Sequence, residues 1–149
     1  MILADVNVLI AAFREDHSMH RVSREWLEQQ VNSPAAYGMS DRVIGGFIRV
    51  VTHPRAFANP DSLGDAIAFA ESLTSRGNCV RVNPGDRQWK LFLELATVTN
   101  AAGNSVADTW LAALAIESGS EWITWDQGFA RYPGLKWSTP TLPGRVTRE

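Results

Sequence analysis

The chain opens with Met1-Ile2-Leu3-Ala4-Asp5, a short apolar stretch that ends on an acid. Two other aspartates have a similar setting: Asp108 precedes the apolar residues 110–115, and Asp126 follows Trp122-Ile123-Thr124-Trp125. A carboxylate at the edge of an apolar segment is costly to desolvate unless a positive group shares its site. Three acids that converge from distant parts of one chain would suit a hard divalent cation such as Mg²⁺. These aspartates make metal-dependent cleavage of a phosphodiester the leading hypothesis.

Short apolar segments alternate with helical stretches along the chain. Strands are predicted over residues 2–5, 35–38, 80–82, 122–125 and 135–137, before an irregular tail. Helices are predicted over residues 7–13, 18–31, 41–51, 59–75, 87–99 and 105–118, with Ser40 and Asp86 as caps of the third and the fifth. The alternation predicts an α/β fold with a mainly parallel central sheet. The length of 149 residues favours one domain over residues 1–149 with a single core.

Each of the three acids has a structural explanation beside the functional one. In parallel α/β sheets, sites form at the carboxyl ends of strands, and both Asp5 and Asp126 are predicted there. Asp108 is predicted in the first turn of a helix, where the helix dipole favours an ionised carboxylate. Alternatively, Asp5 could cap the following helix, Asp108 could be a plain helix-start acid, and Asp126 could form an Asp-x-Gly turn.

Two polar residues lie close in sequence to these acids. Asn7 and Thr124 are each two residues from an aspartate, so each could point to the same side of a strand that continued that far. Asn7 could orient Asp5, and Thr124 could hold a carboxylate, a metal-bound water or a phosphate. A helix cap at Asn7 and a simple β-forming residue at Thr124 are equally good explanations.

Composition limits the other functions available to the chain. The net charge of −2 argues against a generally basic nucleic-acid surface, although 12 of the 14 basic residues are arginines, which suit bidentate contacts with phosphate. Cys79 is the only cysteine, which excludes an internal disulfide and favours a reducing cytoplasm. No apolar run approaches the ~20 residues that span a bilayer, so no membrane association is expected.

Three motifs, in this order, resemble a known family. They are Asp5-Val6-Asn7-Val8-Leu9, Asp108-Thr109-Trp110-Leu111-Ala112-Ala113-Leu114-Ala115 and Thr124-Trp125-Asp126-Gln127-Gly128-Phe129. The set resembles a PIN domain and, more narrowly, the VapC toxins of prokaryotic toxin–antitoxin pairs. The resemblance implies a three-layer α/β/α sandwich, Mg²⁺ or Mn²⁺ dependence, and endoribonuclease activity on structured or translation-related RNA. It also implies a homodimer neutralised by a small VapB-type antitoxin, which would lay an apolar helix along a groove and insert a basic residue among the acids.

Carried over by position, the family's metal-site acids are Asp5, Asp108 and Asp126. This match favours a shared site over three separate structural roles. The expected mechanism is cleavage of RNA by a metal-activated water, in which the ion lowers the pKa of the water and neutralises charge on the phosphate. Arginines near the pocket would hold RNA phosphates, or would hold the acids before metal arrives; the candidates are Arg14, Arg42 and Arg49.

One departure from the family concerns the helix predicted over residues 41–51. The family usually has a glutamate around residues 44–46, where this chain has Ile44-Gly45-Gly46. Asp41, about one helical turn earlier, is the nearest substitute as a catalytic acid, or it could simply be an exposed first-turn acid. The Gly45-Gly46 pair weakens the helix and predicts a close approach of another part of the chain.

Two other functions are compatible with the sequence. The missing glutamate would fit an RNA- or partner-binding module that has lost its activity. An aspartyl-phosphate receiver or phosphatase-like domain is a weaker alternative, because Asn7 interrupts an Asp-x-Asp motif and Lys90 lies within a predicted helix.

Overall fold

One sheet of five parallel strands lies at the centre of the computed structural model, which describes residues 1–143. The strands are β1 (Ile2–Ala4), β2 (Tyr37–Met39), β3 (Cys79–Arg81), β4 (Glu121–Ile123) and β5 (Trp137–Ser138). Their order across the sheet is β3-β2-β1-β4-β5, and every neighbouring pair is parallel. The predicted parallel sheet is confirmed, while the end of the predicted irregular tail, from Gly144, lies outside the described residues.

Helices cover both faces of this sheet. They are α1 (Val6–Phe13), α2 (His20–Asn32), α3 (Asp41–Val51), α4 (Leu63–Thr74), α5 (Gln88–Val98) and α6 (Asn104–Glu117), with a 3₁₀ helix at Gln127–Arg131. α1 packs against α2 and α3, and α3 packs against α4, whereas α5 packs against α6. The chain crosses the sheet from β1 to β3 in one direction and returns to β4 through α5 and α6. Because such crossovers are right-handed, the two helix groups lie on opposite faces, which confirms the three-layer α/β/α sandwich.

The central position of β1 explains its apolar sequence. Leu3 and Ala4 are buried, as is Trp122 of the neighbouring β4, and Leu3 is in register with both Trp122 and Gly38. Strands that are buried on both faces need continuous apolar residues. Since all five strands run the same way, the residues that follow them emerge at one edge of the sheet, here termed the carboxyl edge. Between residues 1 and 143, no helix is both long and apolar enough to cross a membrane.

α4 begins later than the sequence predicts. Its first residue is Leu63, because the Ser62 hydroxyl accepts a hydrogen bond from the Asp65 backbone nitrogen and caps the helix there. The predicted start at residues 59–61 is wrong, since the Asp61 backbone nitrogen donates to a carbonyl at the end of α3 and its carboxylate pairs with Arg14.

The start of α5 is fixed by a distant acid rather than by the predicted cap. The helix begins at Gln88, and Asp86 does not cap it. The Glu117 carboxylate at the end of α6 instead accepts the backbone N–H groups of Gly85 and Arg87, both at 2.8 Å. A contact between residues far apart in sequence therefore replaces the local cap.

The glycine pair of α3 has one crowded and one open member. A Cβ atom on Gly46 would lie 3.2 Å from the Val6 side chain, so the predicted close approach occurs here. A Cβ atom on Gly45 would meet nothing within 4 Å. Ser40 occupies the predicted N-cap position of α3, although its side chain makes no capping hydrogen bond.

Replacing Gly45 by alanine should raise the free energy of unfolding by roughly 0.5–1 kcal/mol, because alanine is the better helix former and restricts the unfolded chain. Gly38→Ala should lower it by about 1–3 kcal/mol, since the added Cβ would lie 2.8 Å from the Val82 side chain and 3.2 Å from the Ile2 carbonyl oxygen. Urea unfolding measures both changes. A loss of stability in Gly45→Ala would contradict the open space at this position.

Candidate functional site

Asp5 joins the centre of the sheet to the start of α1. Its backbone N–H donates to the Ile123 carbonyl at 2.8 Å, which extends the pairing of β1 with β4 by one residue. Its Oδ1 accepts the Val6 backbone N–H at 2.7 Å and caps α1. The capping role foreseen for Asp5 is therefore present, and it fixes the carboxylate at the carboxyl edge between β1 and β4.

Thr124 and Asn7 orient the second carboxylate oxygen of Asp5. The Thr124 hydroxyl donates to Asp5 Oδ2 at 2.6 Å, and Asn7 Nδ2 donates to the same oxygen at 3.1 Å. Asn7 is held in turn by the Trp125 backbone N–H, which donates to its Oδ1 at 3.0 Å. Asn7 lies on α1, so the helix start, and not the predicted continuation of a strand, brings it to Asp5.

Burial gives the Asp5 carboxyl an unusually high pKa. Only 6% of Asp5 is exposed, and desolvation is the main reason why its pKa rises from 3.8 to about 6. Hydrogen bonds from Thr124 and Val6 oppose this rise because they stabilise the ionised form. The negative charges of Asp108 and Asp126 add to it. Three acids from separate elements therefore share one electrostatic environment.

Asp108 lies in the second turn of α6. The helix begins at Asn104, so the predicted first-turn position is wrong, and with it the predicted help from the helix dipole, which acts within the first turn. Burial raises the pKa of the Asp108 carboxyl, the positive charge of Arg131 lowers it, and the charge of Asp126 raises it further. Arg131 also donates a hydrogen bond from Nη2 to Asp108 Oδ2 at 3.3 Å.

Asp126 is the N-cap of the 3₁₀ helix that follows β4. Its Oδ1 accepts the Gly128 backbone N–H at 2.8 Å, so the Asp-x-Gly turn is present. Its own backbone N–H donates to Thr124 Oγ1 at 3.0 Å. Thr124 thus contacts both Asp126 and Asp5. The turn-forming role of Asp126 and its electrostatic effect on Asp5 coexist.

Arg131 places a guanidinium among these acids, and none of the sequence motifs contains it. Besides its hydrogen bond to Asp108, its charge interacts with Asp126 across Gly128. Asp108 precedes Arg131 by 23 residues, so no local motif joins the two. The sequence offered one indication of this role: Arg131 ends the short segment that begins with Asp126.

The charges and donor atoms at this edge suit a hard dication. The Arg131 guanidinium interacts with Asp108 and Asp126, and Asp5 adds a third carboxyl group, so the acids outnumber this guanidinium and leave the centre negative. The two oxygens of Asp5 accept three hydrogen bonds, so one acceptor position remains, on Oδ1. Across residues 1–143, no three acidic, histidine or cysteine side chains are already gathered closely enough to hold an ion. Coordination therefore requires the side chains of Asp108 and Asp126 to move.

Asp41 and the predicted arginines of α3 lie outside the group of three acids. Asp41 is exposed at the start of α3 and pairs with Arg81 of β3, so the structure does not bring it to Asp5. The Arg42 guanidinium lies 5.4 Å from the centre of the ring of Trp110, and Trp110 belongs to the helix that carries Asp108. Arg49 is exposed in the last turn of α3.

The sequence predicts Arg14 as an RNA contact, and this prediction is wrong. Its side chain is only 8% exposed and pairs with Asp16 at 2.9 Å and with Asp61 at 2.7 Å. The guanidinium also lies 3.7 Å from the centre of the Phe57 ring. Two acids neutralise its charge, so Arg14 holds the loop before α4 against the end of α1.

Comparison with known proteins identifies the family. The sequence matches the PIN domain over residues 2–135. The chain belongs to the PIN-domain family. This PIN domain is 41% identical over 140 residues to Ribonuclease VapC43 of Mycobacterium tuberculosis, with 94% of this chain and 95% of that protein covered. It is 32% identical over 142 residues to Ribonuclease VapC31 of the same species, with 95% and 100% covered. The resemblance to VapC-type PIN domains is confirmed.

Solved structures support the same fold. VapBC2 from Rickettsia felis, bound to a DNA fragment from its promoter, superposes with a TM-score of 0.68 and 17% identity, covering 93% of this PIN domain and 98% of the matched chain. VapC20 from M. tuberculosis, described as a sarcin-ricin loop cleaving toxin, superposes with a TM-score of 0.60 and 16% identity, covering 91% and 99%. At these identities the likeness establishes the fold alone.

Thr124→Val should raise the Asp5 pKa above about 6, because it removes the hydroxyl that stabilises the ionised carboxylate. A carboxyl ¹³C NMR titration of Asp5 measures the change. Thr97→Val is the matched control, since the Thr97 hydroxyl donates to the Leu93 carbonyl on α5 and contacts none of the acids. An unchanged or lower Asp5 pKa in Thr124→Val would contradict the assigned hydrogen bond.

Proposed function

We propose that this PIN domain is a metal-dependent endoribonuclease, the toxin of a toxin–antitoxin pair. The observation that carries the proposal is the group of three carboxylates at the carboxyl edge, Asp5, Asp108 and Asp126. Burial raises the pKa of Asp5 and the charges of Asp108 and Asp126 add to the rise, which is a cost that a purely structural site has no reason to keep. Relatives named ribonuclease VapC align with nearly the whole chain and support this assignment.

The three acids would hold Mg²⁺ or Mn²⁺ through their carboxylate oxygens. When bound, the ion supplies an acidified water and positive charge beside the attacked phosphate. Thr124 and Asn7 occupy Asp5 Oδ2 with two hydrogen bonds, so Asp5 Oδ1 is the oxygen with capacity left for an ion. These two residues therefore act as positioning residues.

Asp41 would join the site only after a rearrangement. It would have to leave Arg81, and exposed pairs of this kind contribute only about 0–1 kcal/mol, so little opposes that movement. Arg42 and Arg49 are exposed on the helix that Asp41 begins, and both would contact RNA phosphates. These assignments are secondary to the roles of the three clustered acids.

The absence of an acid at residues 44–46 favours one competing function, a catalytically impaired module that binds RNA or a partner. In that case RNA would bind without being cut at any concentration of Mg²⁺ or Mn²⁺. The receiver or phosphatase-like alternative finds no support, because Lys90 pairs with Glu94 on the outside of α5 and the sequence matches the PIN domain.

An antitoxin of the VapB type is the partner we propose. A groove between α2 and α4 has an apolar lining formed by Ala12, Leu27, Val31, Phe69 and Leu73, beside the charged residues Arg24, Glu28 and Arg76. An amphipathic helix fits a surface of this character, with its apolar face in the groove and its polar edges beside the charges. Solved neighbours include VapBC assemblies, which supports the pairing. A homodimer is also proposed for the toxin.

The cytoplasm is the proposed location. Cys79 is the single cysteine and is unpaired, which suits a reducing compartment. An RNA substrate involved in translation would be met there as well.

Asp5→Asn and Asp108→Asn should each lower RNA cleavage by at least about a hundredfold, because each removes a charged metal ligand while keeping the shape of the side chain. Cleavage of a mixed RNA substrate in Mg²⁺, followed on gels, measures the loss. Glu71→Gln removes an exposed negative charge from α4 and should leave the activity unchanged. Full activity in either aspartate variant would remove that residue from the mechanism.

Mn²⁺ should stabilise the protein less under mildly acidic conditions. Asp5 has a pKa of about 6, so below this pH protons compete with the cation for the carboxylate. The rise in Tm on adding Mn²⁺ should be large at about pH 7.5 and much smaller at about pH 5. A stabilisation that did not change with pH would place the bound cation away from Asp5.

A further inference from the structure

We propose that Arg131 is an RNA-binding residue of this centre: it pairs with Asp108 in the absence of a divalent cation and is released to a phosphate of the RNA when that carboxylate coordinates one. The inference rests on the proposed function, because it assumes that RNA is cut beside the three acids. Arg131 is the charged side chain of this centre that the sequence motifs did not contain, and it thereby gains a role.

The guanidinium of Arg131 is anchored by Tyr132 as well as by Asp108. Its Nη2 donates to the Tyr132 hydroxyl at 3.0 Å, and its central carbon lies 4.8 Å from the centre of the Tyr132 ring. Tyr132 is only 3% exposed, and its hydroxyl lies 3.0 Å from Thr109 Oγ1 on α6. Because this tyrosine is fixed in the core, the guanidinium stays at the carboxyl edge whether or not Asp108 holds it.

The contact of Arg131 with Asp108 is weaker than its contact with Tyr132. It is a single hydrogen bond of 3.3 Å, and the Arg131 and Asp108 side chains are 38% and 35% exposed. Exposed ion pairs with one long hydrogen bond contribute little to stability. Asp108 can therefore exchange the guanidinium for another cation at small cost, while Tyr132 keeps the arginine in place.

Arg131 retains hydrogen-bond donors for a phosphate. In the part of the chain that the structure describes, both of its hydrogen bonds come from Nη2, and none comes from Nε or Nη1. Nη1 lies beside Gly128, where an added Cβ would come within 3.1 Å of it, so the missing side chain leaves this nitrogen room. When Asp108 withdraws, the freed N–H of Nη2 forms a planar fork with Nε or with Nη1, which matches two phosphate oxygens.

Three other arginines, which the structure describes, lack this combination of position and free donors. Arg14 is buried and neutralised by two acids, and Arg81 is paired with Asp41. Arg42 lies over the Trp110 ring. Arg131 is held next to Asp108 and Asp126 themselves, at the point where a phosphate attacked beside a bound cation would need a positive neighbour.

The test compares Arg131→Ala and Arg131→Lys with Lys136→Ala. Lys136 is exposed and lies before the first residue of β5, at the opposite edge of the sheet, so its removal matches the loss of charge. The probe is a fluorescein-labelled single-stranded RNA of mixed sequence. Its binding is followed by fluorescence anisotropy in Ca²⁺, over a range of salt concentrations, with gels to verify that the RNA stays intact.

Arg131→Ala should weaken RNA binding about tenfold or more, because a charge-assisted contact is lost. It should also flatten the dependence of log affinity on log salt by about 0.7. Arg131→Lys should recover part of the affinity, since it restores the charge without the planar fork. Lys136→Ala should behave as the wild type. Calorimetry without RNA should show Mn²⁺ binding to Arg131→Ala at least as tightly as to wild type, because a competing cation is gone.

RNA affinity within about twofold of wild type in Arg131→Ala, with an unchanged salt slope, would overturn the proposal. So would a joint loss of Tm, RNA affinity and Mn²⁺ affinity in both Arg131 variants, which would make the residue a support for Tyr132 only. Cleavage by the wild type in Mg²⁺ is measured separately. If the wild type bound RNA but did not cut it, the proposed function would fail while the Arg131 contact would stand.

Discussion

The hydrogen bond from the Thr124 hydroxyl to the Asp5 carboxylate is the interaction on which the site depends. It joins residues 119 positions apart, and it exists because β1 and β4 are parallel neighbours that end at the same edge of the sheet. Thr124 also accepts the backbone N–H of Asp126, so one side chain fixes two of the three acids. The core beneath, with Leu3 and Trp122 fully buried, prevents either strand from shifting its register.

The same arrangement carries an electrostatic cost. A carboxylate that is nearly buried and lies near two others resists ionisation, as the raised pKa of Asp5 records. The fold reduces this cost through the hydrogen bonds of Asp5 and through the guanidinium of Arg131. A site that keeps such a conflict between charges suits the capture of a cation better than it suits stability.

Local sequence patterns predicted much of this fold, and contacts between distant residues account for what they missed. Apolar periodicity located the five strands, and the acids that follow β1 and β4 marked the carboxyl edge. The start of α5 could not be predicted locally, because Glu117 of another helix binds the backbone N–H groups of Gly85 and Arg87 just before it. The role of Arg131 was not predicted for the same reason, since its partner Asp108 is 23 residues away in the sequence and reaches it only in the folded chain. Arg14 was misjudged because nothing in the sequence shows that Asp16 and Asp61 neutralise it.

We propose that these three carboxylates close on one divalent cation. A crystal of the protein soaked in Mn²⁺, with diffraction recorded at the manganese absorption edge, tests this closure. We expect an anomalous peak within coordination distance of oxygens from Asp5 and Asp108, with Asp126 drawn toward it and Arg131 withdrawn from Asp108. A well-occupied manganese elsewhere on the surface, with these acids unmoved, would contradict it.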